Sequence, residues 1–166
     1  MFLNTANNYY ETDVIQEPHG RADWFARHLP EFDVEGLDTV GWKRLAVLRD
    51  ALRSLVAGDV SAGERVSAIA GRYPMELRFE GTGDATTSTV SAKRQGAEHA
   101  IAVAVLSALH AAATDGRLSR LRLCDRSDCR WCYYDASKNR SARWCSSDPC
   151  GDLMKARAYR SRQRLA

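Results

Sequence analysis

The chain has 166 residues, enough for one ordinary domain and a small appendage. It is 45% hydrophobic and 27% charged, the balance of a globular protein rather than a disordered or fibrous one. Its net charge of +3 hides a division: residues 117–166 carry 13 Lys/Arg against 5 Asp/Glu, and residues 1–116 carry 11 against 16. A basic half beside an acidic half points to a polyanionic partner for the basic one, or to attraction between the two.

In chain order, residues 1–18 are polar and end at Pro18, with Phe2 and Leu3 as a helix start or a core plug. Residues 1–5 show no basic and apolar leader pattern, so we expect a cytoplasmic protein with reduced thiols. Ala22, Trp24, Phe25, His28 and Leu29 have helical spacing that stops at Pro30. Residues 38–57 give the clearest helix: Trp42, Leu45, Leu48, Leu52 and Leu55 recur at three and four residues, with Asp38 or Thr39 as cap and Gly58 beyond the end. Residues 61–72 read as another helix, with Ser61 and Glu64 spaced as a capping box.

From Met75 the period changes to two. Met75, Leu77 and Phe79 alternate with Glu76, Arg78 and Glu80, which predicts a half-buried strand. A turn at Gly81 to Asp84 and the β-branched stretch 86–91 complete a hairpin. Residues 95–114 form a long helix, apolar nearly all round between Ala100 and Leu109, expected as the central core element. Its apolar run, 100–113, is too short for a bilayer span of about 20 residues, so no membrane association is expected. Leu118, Leu121 and Leu123 lead on, as a short strand, into the part of the sequence with the sharpest chemistry.

All five cysteines fall within residues 124–150. Cys124 and Cys129 make one C-x4-C pair, and Cys145 and Cys150 another, fifteen residues on. Two short-spaced thiolate pairs facing each other across a loop suit a tetrahedral zinc ion. An iron–sulfur cluster uses four thiolates as well. Cys129 and Cys132 form a C-x2-C, so a set of Cys129, Cys132, Cys145 and Cys150 is the rival; the symmetric set leaves Cys132 as a small buried apolar side chain or a redox thiol. A site closed by four cysteines keeps no position for water and builds structure rather than hydrolysing bonds. His19, His28, His99 and His110 are scattered, and no Gly-rich phosphate loop or nucleophile elbow occurs, so no enzymatic activity is expected.

The last stretch reads as a basic helix. Asp148 suits an N-cap and Pro149 the first helical position, which places Cys150 in the first turn of a helix running to about Arg164. Met154, Ala158, Ser161 and Leu165 form a weak apolar stripe, while Arg157, Arg160 and Arg164 share another side and Lys155 a third. Inside the zinc loop Lys138, Arg140 and Arg143 alternate with Trp131, Tyr133, Tyr134 and Trp144, as on nucleic-acid-binding surfaces. We expect Trp131 and Trp144 to pack on the ligands and the basic residues to meet phosphates.

The run Asp135-Ala136-Ser137-Lys138-Asn139-Arg140-Ser141-Ala142-Arg143-Trp144-Cys145-Ser146, then Cys150-Gly151 and Lys155-Ala156-Arg157-Ala158-Tyr159-Arg160, resembles the CGNR zinc finger. That finger forms the C-terminal part of bacterial proteins with an N-terminal ABATE domain, described as stress-induced transcription regulators. The resemblance is dense over 121–160 and looser over 1–116, where it rests on the opening Phe2-Leu3-Asn4-Thr5 and the order of elements. It implies Zn2+ on Cys124, Cys129, Cys145 and Cys150. It departs at Asp152-Leu153, where the family has Asn-Arg.

The expectation is thus a mainly α (α+β) chain. A helical domain with a small β-hairpin (1–116) precedes a four-cysteine zinc finger with a basic helix (117–166). DNA is the expected partner, contacted through Lys138, Arg140, Arg143, Lys155, Arg157, Arg160 and Arg164, with an unidentified effector or a homodimer left to the first domain. A zinc-stabilised protein-interaction or RNA-binding module is the alternative.

Overall fold

The computed structural model describes residues 1–164. Among these, five helices and three separate two-stranded antiparallel sheets follow one another. The helices are α1 (Arg21–His28), α2 (Thr39–Val56), α3 (Ala62–Ala70), α4 (Ala97–Thr114) and α5 (Asp152–Gln163). The strands are β1 (Ala6–Asn7) with β2 (Thr12–Asp13), β3 (Met75–Glu80) with β4 (Thr87–Ala92), and β5 (Leu121–Leu123) with β6 (Cys132–Tyr134). The architecture is mainly helical with small strand pairs, as the periodicities predict.

The core forms around α2. Its Trp42, Leu45, Leu48 and Leu52 are buried on one stripe, and Phe2, Phe25, Val66 and Ile69 come against it from the opening turn, α1 and α3. The Asp38 carboxylate accepts from the Gly41 N–H at 2.7 Å and fixes the start of α2. Gly58, with φ +83°, supplies the left-handed turn that leads away from its end. Ser61 does not act as the cap of a capping box; its N–H and hydroxyl both donate to the Asp59 carboxylate, which also pairs with Arg65. An acid two residues earlier accepts both bonds, and the Ser61 hydroxyl oxygen in turn accepts from Arg65.

On the same helix Arg49 is 1% exposed. It grips Asp13 with two nitrogens, Nη1–Oδ1 at 2.6 Å and Nη2–Oδ2 at 2.8 Å, and reaches Asp50 through Nε at 2.8 Å. Burial pushes the Asp13 carboxyl up, the Arg49 pair pulls it down, and the net direction is below its ordinary value. The β1–β2 segment is thereby tied to the core.

Two expectations about exposure change. The β3–β4 hairpin pairs as predicted, Leu77 opposite Val90. It is not half-buried, however: Met75, Leu77 and Phe79 are 43%, 57% and 67% exposed. Strict alternation marks two unlike faces but says nothing of whether a second layer covers the apolar one. Helix α4 buries Ile101, Ala102, Val103 and Leu106 against the core, while Ala100, Ala108 and His110 lie exposed. Its small residues, not burial, explain the all-round apolar pattern. At 18 residues and mean hydropathy 1.3, α4 outruns the 100–113 segment and is long and apolar enough, by length and composition alone, to cross a membrane.

The cysteine-bearing unit packs on this body. The Asn4 side chain pairs with the backbone of Cys132 on both sides, accepting from its N–H at 2.7 Å and donating to its carbonyl at 2.8 Å. Arg53 donates to the carbonyls of Leu3 at 2.8 Å and Arg130 at 2.8 Å. A half-open cavity of about 380 Å3, lined by Leu3, Leu52, Val105, Leu109, Leu121 and Cys132 among others, lies along the seam.

Candidate metal centre and basic helix

Hairpin β5–β6 pairs Leu121 with Tyr134 and Leu123 with Cys132, and its loop carries the first two cysteines. The Cys124 N–H donates to the Trp131 carbonyl at 2.9 Å, and the N–H groups of Cys129 and Arg130 donate to the Arg126 carbonyl at 3.0 and 3.1 Å. Arg130 takes φ +52° to close this knuckle. The second knuckle is a wide turn, Ser147–Gly151, preceded by Cys145. Gly151 is buried there; a Cβ on it would stand 3.4 Å from the Ser146 carbonyl oxygen and 3.6 Å from Trp144 Cε3. Both are ordinary contact distances, so the turn packs on the tryptophan without requiring a glycine there.

The sulfurs of Cys124, Cys129, Cys145 and Cys150 lie within 4.8 Å of one another. Cys129 Sγ is 3.7 Å from Cys145 Sγ, which is 3.6 Å from Cys150 Sγ. Four thiolates at 2.3 Å around a tetrahedral zinc stand about 3.8 Å apart. Distances and donors therefore fit a single zinc ion. They leave no room for a multi-iron cluster, which sets several irons and sulfides between its thiolates. Without a cation the crowding is unfavourable to ionisation: burial and the neighbouring Cys150 and Cys129 thiols hold the Cys145 thiol far above its ordinary range. A dication reverses that balance and deprotonates the ligands.

Cys132 stands outside this group. Its side chain is buried, its backbone is held by Asn4, and burial pushes its thiol up. The rival set of Cys129, Cys132, Cys145 and Cys150 thus loses its second member, because β6 directs Cys132 into the seam rather than to the knuckles. The four histidines likewise lie outside the cluster.

Trp131, Tyr133 and Trp144 pack against the buried cysteines. The Tyr133 hydroxyl donates to the Ala142 carbonyl at 2.6 Å, and burial pushes it up to about 12. Asp135 was named only as the start of the run that resembles the finger, yet it is 1% exposed and organises the basic loop. Its carboxylate accepts from the Ser137 hydroxyl at 2.6 Å, the Ser137 N–H at 2.9 Å and the Ala142 N–H at 3.1 Å, with Arg122 at 3.3 Å. Those hydrogen bonds, that of Ser137 foremost, hold it below the ordinary carboxylate range. The Asp-x-Ser spacing was the available signal.

Of the predicted phosphate contacts, Lys138, Arg140, Arg143, Lys155, Arg157, Arg160 and Arg164 are all exposed. They do not form one continuous set. Arg143 is engaged with Asp125 at 2.8 Å and lies over the Trp144 ring, and Lys155 pairs with Asp152 at 3.2 Å. Arg157, Arg160 and Arg164 fall within about 60° of one another around a helix of 3.6 residues per turn.

Helix α5 starts later than predicted. Asp148 keeps the extended backbone of an N-cap (φ −108°, ψ 129°), but residues Ser147–Gly151 form the wide turn that holds Cys150, and the α-helix proper begins at Asp152. The turn carries Cys150 to the other three sulfurs, a demand that outranks capping preference. The expected apolar stripe is not buried: Ala158 and Ser161 are exposed, and Leu165 lies outside the described residues. Among the described residues of α5 only Met154 is partly covered.

Two further residues escaped the sequence reading. Asn4 was noted only as part of an opening, and Arg126 was one basic residue among many. Arg126 is 1% exposed, sits between the first two cysteines and lies 4.5 Å from the Tyr9 ring. Burial acts against its charge, the Cys150 sulfur and the Asp128 carboxylate favour it, and the net direction is upward.

Residues 120–163 match the CGNR zinc finger family. No curated protein matches the chain.

Proposed function

We propose that this chain is a DNA-binding protein acting in transcription regulation, in which zinc held by Cys124, Cys129, Cys145 and Cys150 anchors a basic helix. The observation that carries the reading is the state of α5. Arg157, Arg160, Arg162 and Arg164 are exposed and have no carboxylate partner among the described residues. A basic segment serving to hold the acidic first unit would be covered by it, and this one is not. Arginine forks on one helix face suit phosphate oxygens and base edges alike. Zinc plays a structural part, since four thiolates close its tetrahedron. Residues 1–116, read as an ABATE-type unit, then carry regulation, and cytoplasmic residence keeps the thiols reduced. We assign no catalytic role.

The test is binding of zinc-loaded protein to mixed duplex DNA over a salt series, beside the triple change Arg157→Ala, Arg160→Ala, Arg164→Ala. Wild-type affinity is expected to fall linearly in log–log form, and the triple variant's slope to shrink by about 2.7 for three lost phosphate contacts. No binding at low salt with a full zinc site refutes the reading. A protein-interaction role is the second reading, favoured by the apolar face of Leu77, Phe79 and Val90 that the β3–β4 hairpin leaves exposed. Equal salt slopes for wild type and triple variant would move weight to it.

A further inference from the structure

Arg126 is in an expensive position. A guanidinium loses several kcal/mol of hydration when buried, and an apolar side chain of similar volume fills the same space at less cost. Its Nε stands 2.7 Å from Asp128 Oδ1, but Asp128 is half exposed and the approach is misaligned: neither Nε nor Nη1 makes a hydrogen bond. A buried cation with two unused donors needs an account. Three facts place it. Arg126 belongs to the first knuckle, between ligands Cys124 and Cys129, and its own carbonyl holds the Cys129 N–H. It lines a cavity of about 330 Å3 together with Cys129, Cys145 and Cys150, which places its charge beside the cysteine cluster. Its outer face is covered by Tyr9, whose ring lies 4.5 Å from the guanidinium carbon.

The charges complete the argument. Four thiolates around one dication leave a net charge of −2 at a site where three of the four cysteines are buried. A buried dianion and a buried cation are each unfavourable alone, and adjacent they offset one another. We propose that Arg126 is the counter-charge of the metal centre, its buried guanidinium offsetting the thiolate charge from beside the cluster, and that the β1–β2 hairpin completes the centre by seating Tyr9 over that guanidinium. This rests on the reading of the four cysteines as metal ligands. Arg126 is a positioning residue: it does not bind the metal but sets how tightly the thiolates hold it. The metal centre then spans both units of the chain, because residue 9 comes from the first.

The experiment uses the full chain, loaded with Zn2+ or Co2+, with Arg126→Met, Arg126→Gln, Arg126→Lys and Tyr9→Leu. Zinc affinity is read by competition with a chromophoric chelator, and the sulfur-to-cobalt charge-transfer band reports electron density on the thiolates. Arg126→Met and Arg126→Gln should lose about 10- to 100-fold in affinity, the usual effect of removing an outer partner of a metal ligand. Their band should move to longer wavelength, as unneutralised sulfur gives up charge more readily. Arg126→Lys should recover most of both, and Tyr9→Leu should lose a smaller factor. Glutamine matching wild type, lysine failing as badly as methionine, or an unmoved cobalt band overturns the proposal. A wild-type chain that takes up no metal, indistinguishable from Cys124→Ser, instead overturns the ligand reading on which it rests.

Discussion

Cys145→Ser and Cys132→Ser make the same atomic change and should have opposite consequences. Cys145 Sγ lies within 3.7 Å of two other ligand sulfurs, and Cys132 stands outside the group. Structural zinc contributes roughly 10–16 kcal/mol to folding of such units. One ligand in four is then worth about 2.5–4 kcal/mol, or roughly 100- to 1000-fold in affinity. Cys132→Ser costs only the burial of a hydroxyl without an evident partner, about 1–3 kcal/mol, and keeps both Asn4 bonds because those use the backbone. Zinc per chain after gel filtration against a competing chelator, with urea unfolding alongside, separates the two. Cys145→Ser should emerge metal-depleted with its C-terminal unit unfolded, Cys132→Ser metal-replete and slightly less stable. Wild-type zinc affinity in Cys145→Ser, or zinc loss in Cys132→Ser, would refute the assignment of ligands.

Asn4→Ala removes two hydrogen bonds across the seam and leaves the Cys132 N–H and carbonyl unpaired, a loss of about 1–3 kcal/mol. Hydrogen exchange should quicken over residues 121–134 while α2 stays protected; uniform protection would refute the seam's role. The Asp13–Arg49 pair predicts a pH effect. The folded pKa of Asp13 is below its unfolded value of 3.8, so its contribution is full above that value and is lost as pH falls through the folded one. The stability difference between wild type and Asp13→Asn should shrink as pH drops below about 4, and a constant difference would show that the pair does not titrate.

What could be read beforehand followed from chain-local chemistry. The limits of α2 are set by Asp38, by the recurrence of Trp42, Leu45, Leu48 and Leu52, and by Gly58, all within one stretch. The two cysteine pairs were legible for the same reason: ligand spacing is a local constraint. Other features depend on what lies opposite in space. Alternation in β3 could not report the missing second layer. The start of α5 misled because Asp148 and Pro149 look like a cap, whereas reaching three other sulfurs requires the wide turn. Arg126 has no sequence mark, and Asn4 only its place in the opening run, since each is defined by a partner far along the chain: Tyr9 for one and Cys132 for the other.

The Asn4–Cys132 bonds join residues 128 positions apart. During synthesis, residue 4 leaves the ribosome long before residue 132 exists, so the N-terminal segment waits with an unmet contact while α2 to α4 assemble. At about 5–20 residues per second that interval lasts roughly 6–25 s. The seam closes only after β6 has been made, and the second cysteine knuckle emerges later still. A nascent chain stalled before residue 132 lacks both Asn4 bonds, although Phe2 already has α2 to pack against. Synthesis of β6 would then join residues 4 and 132 in one late step.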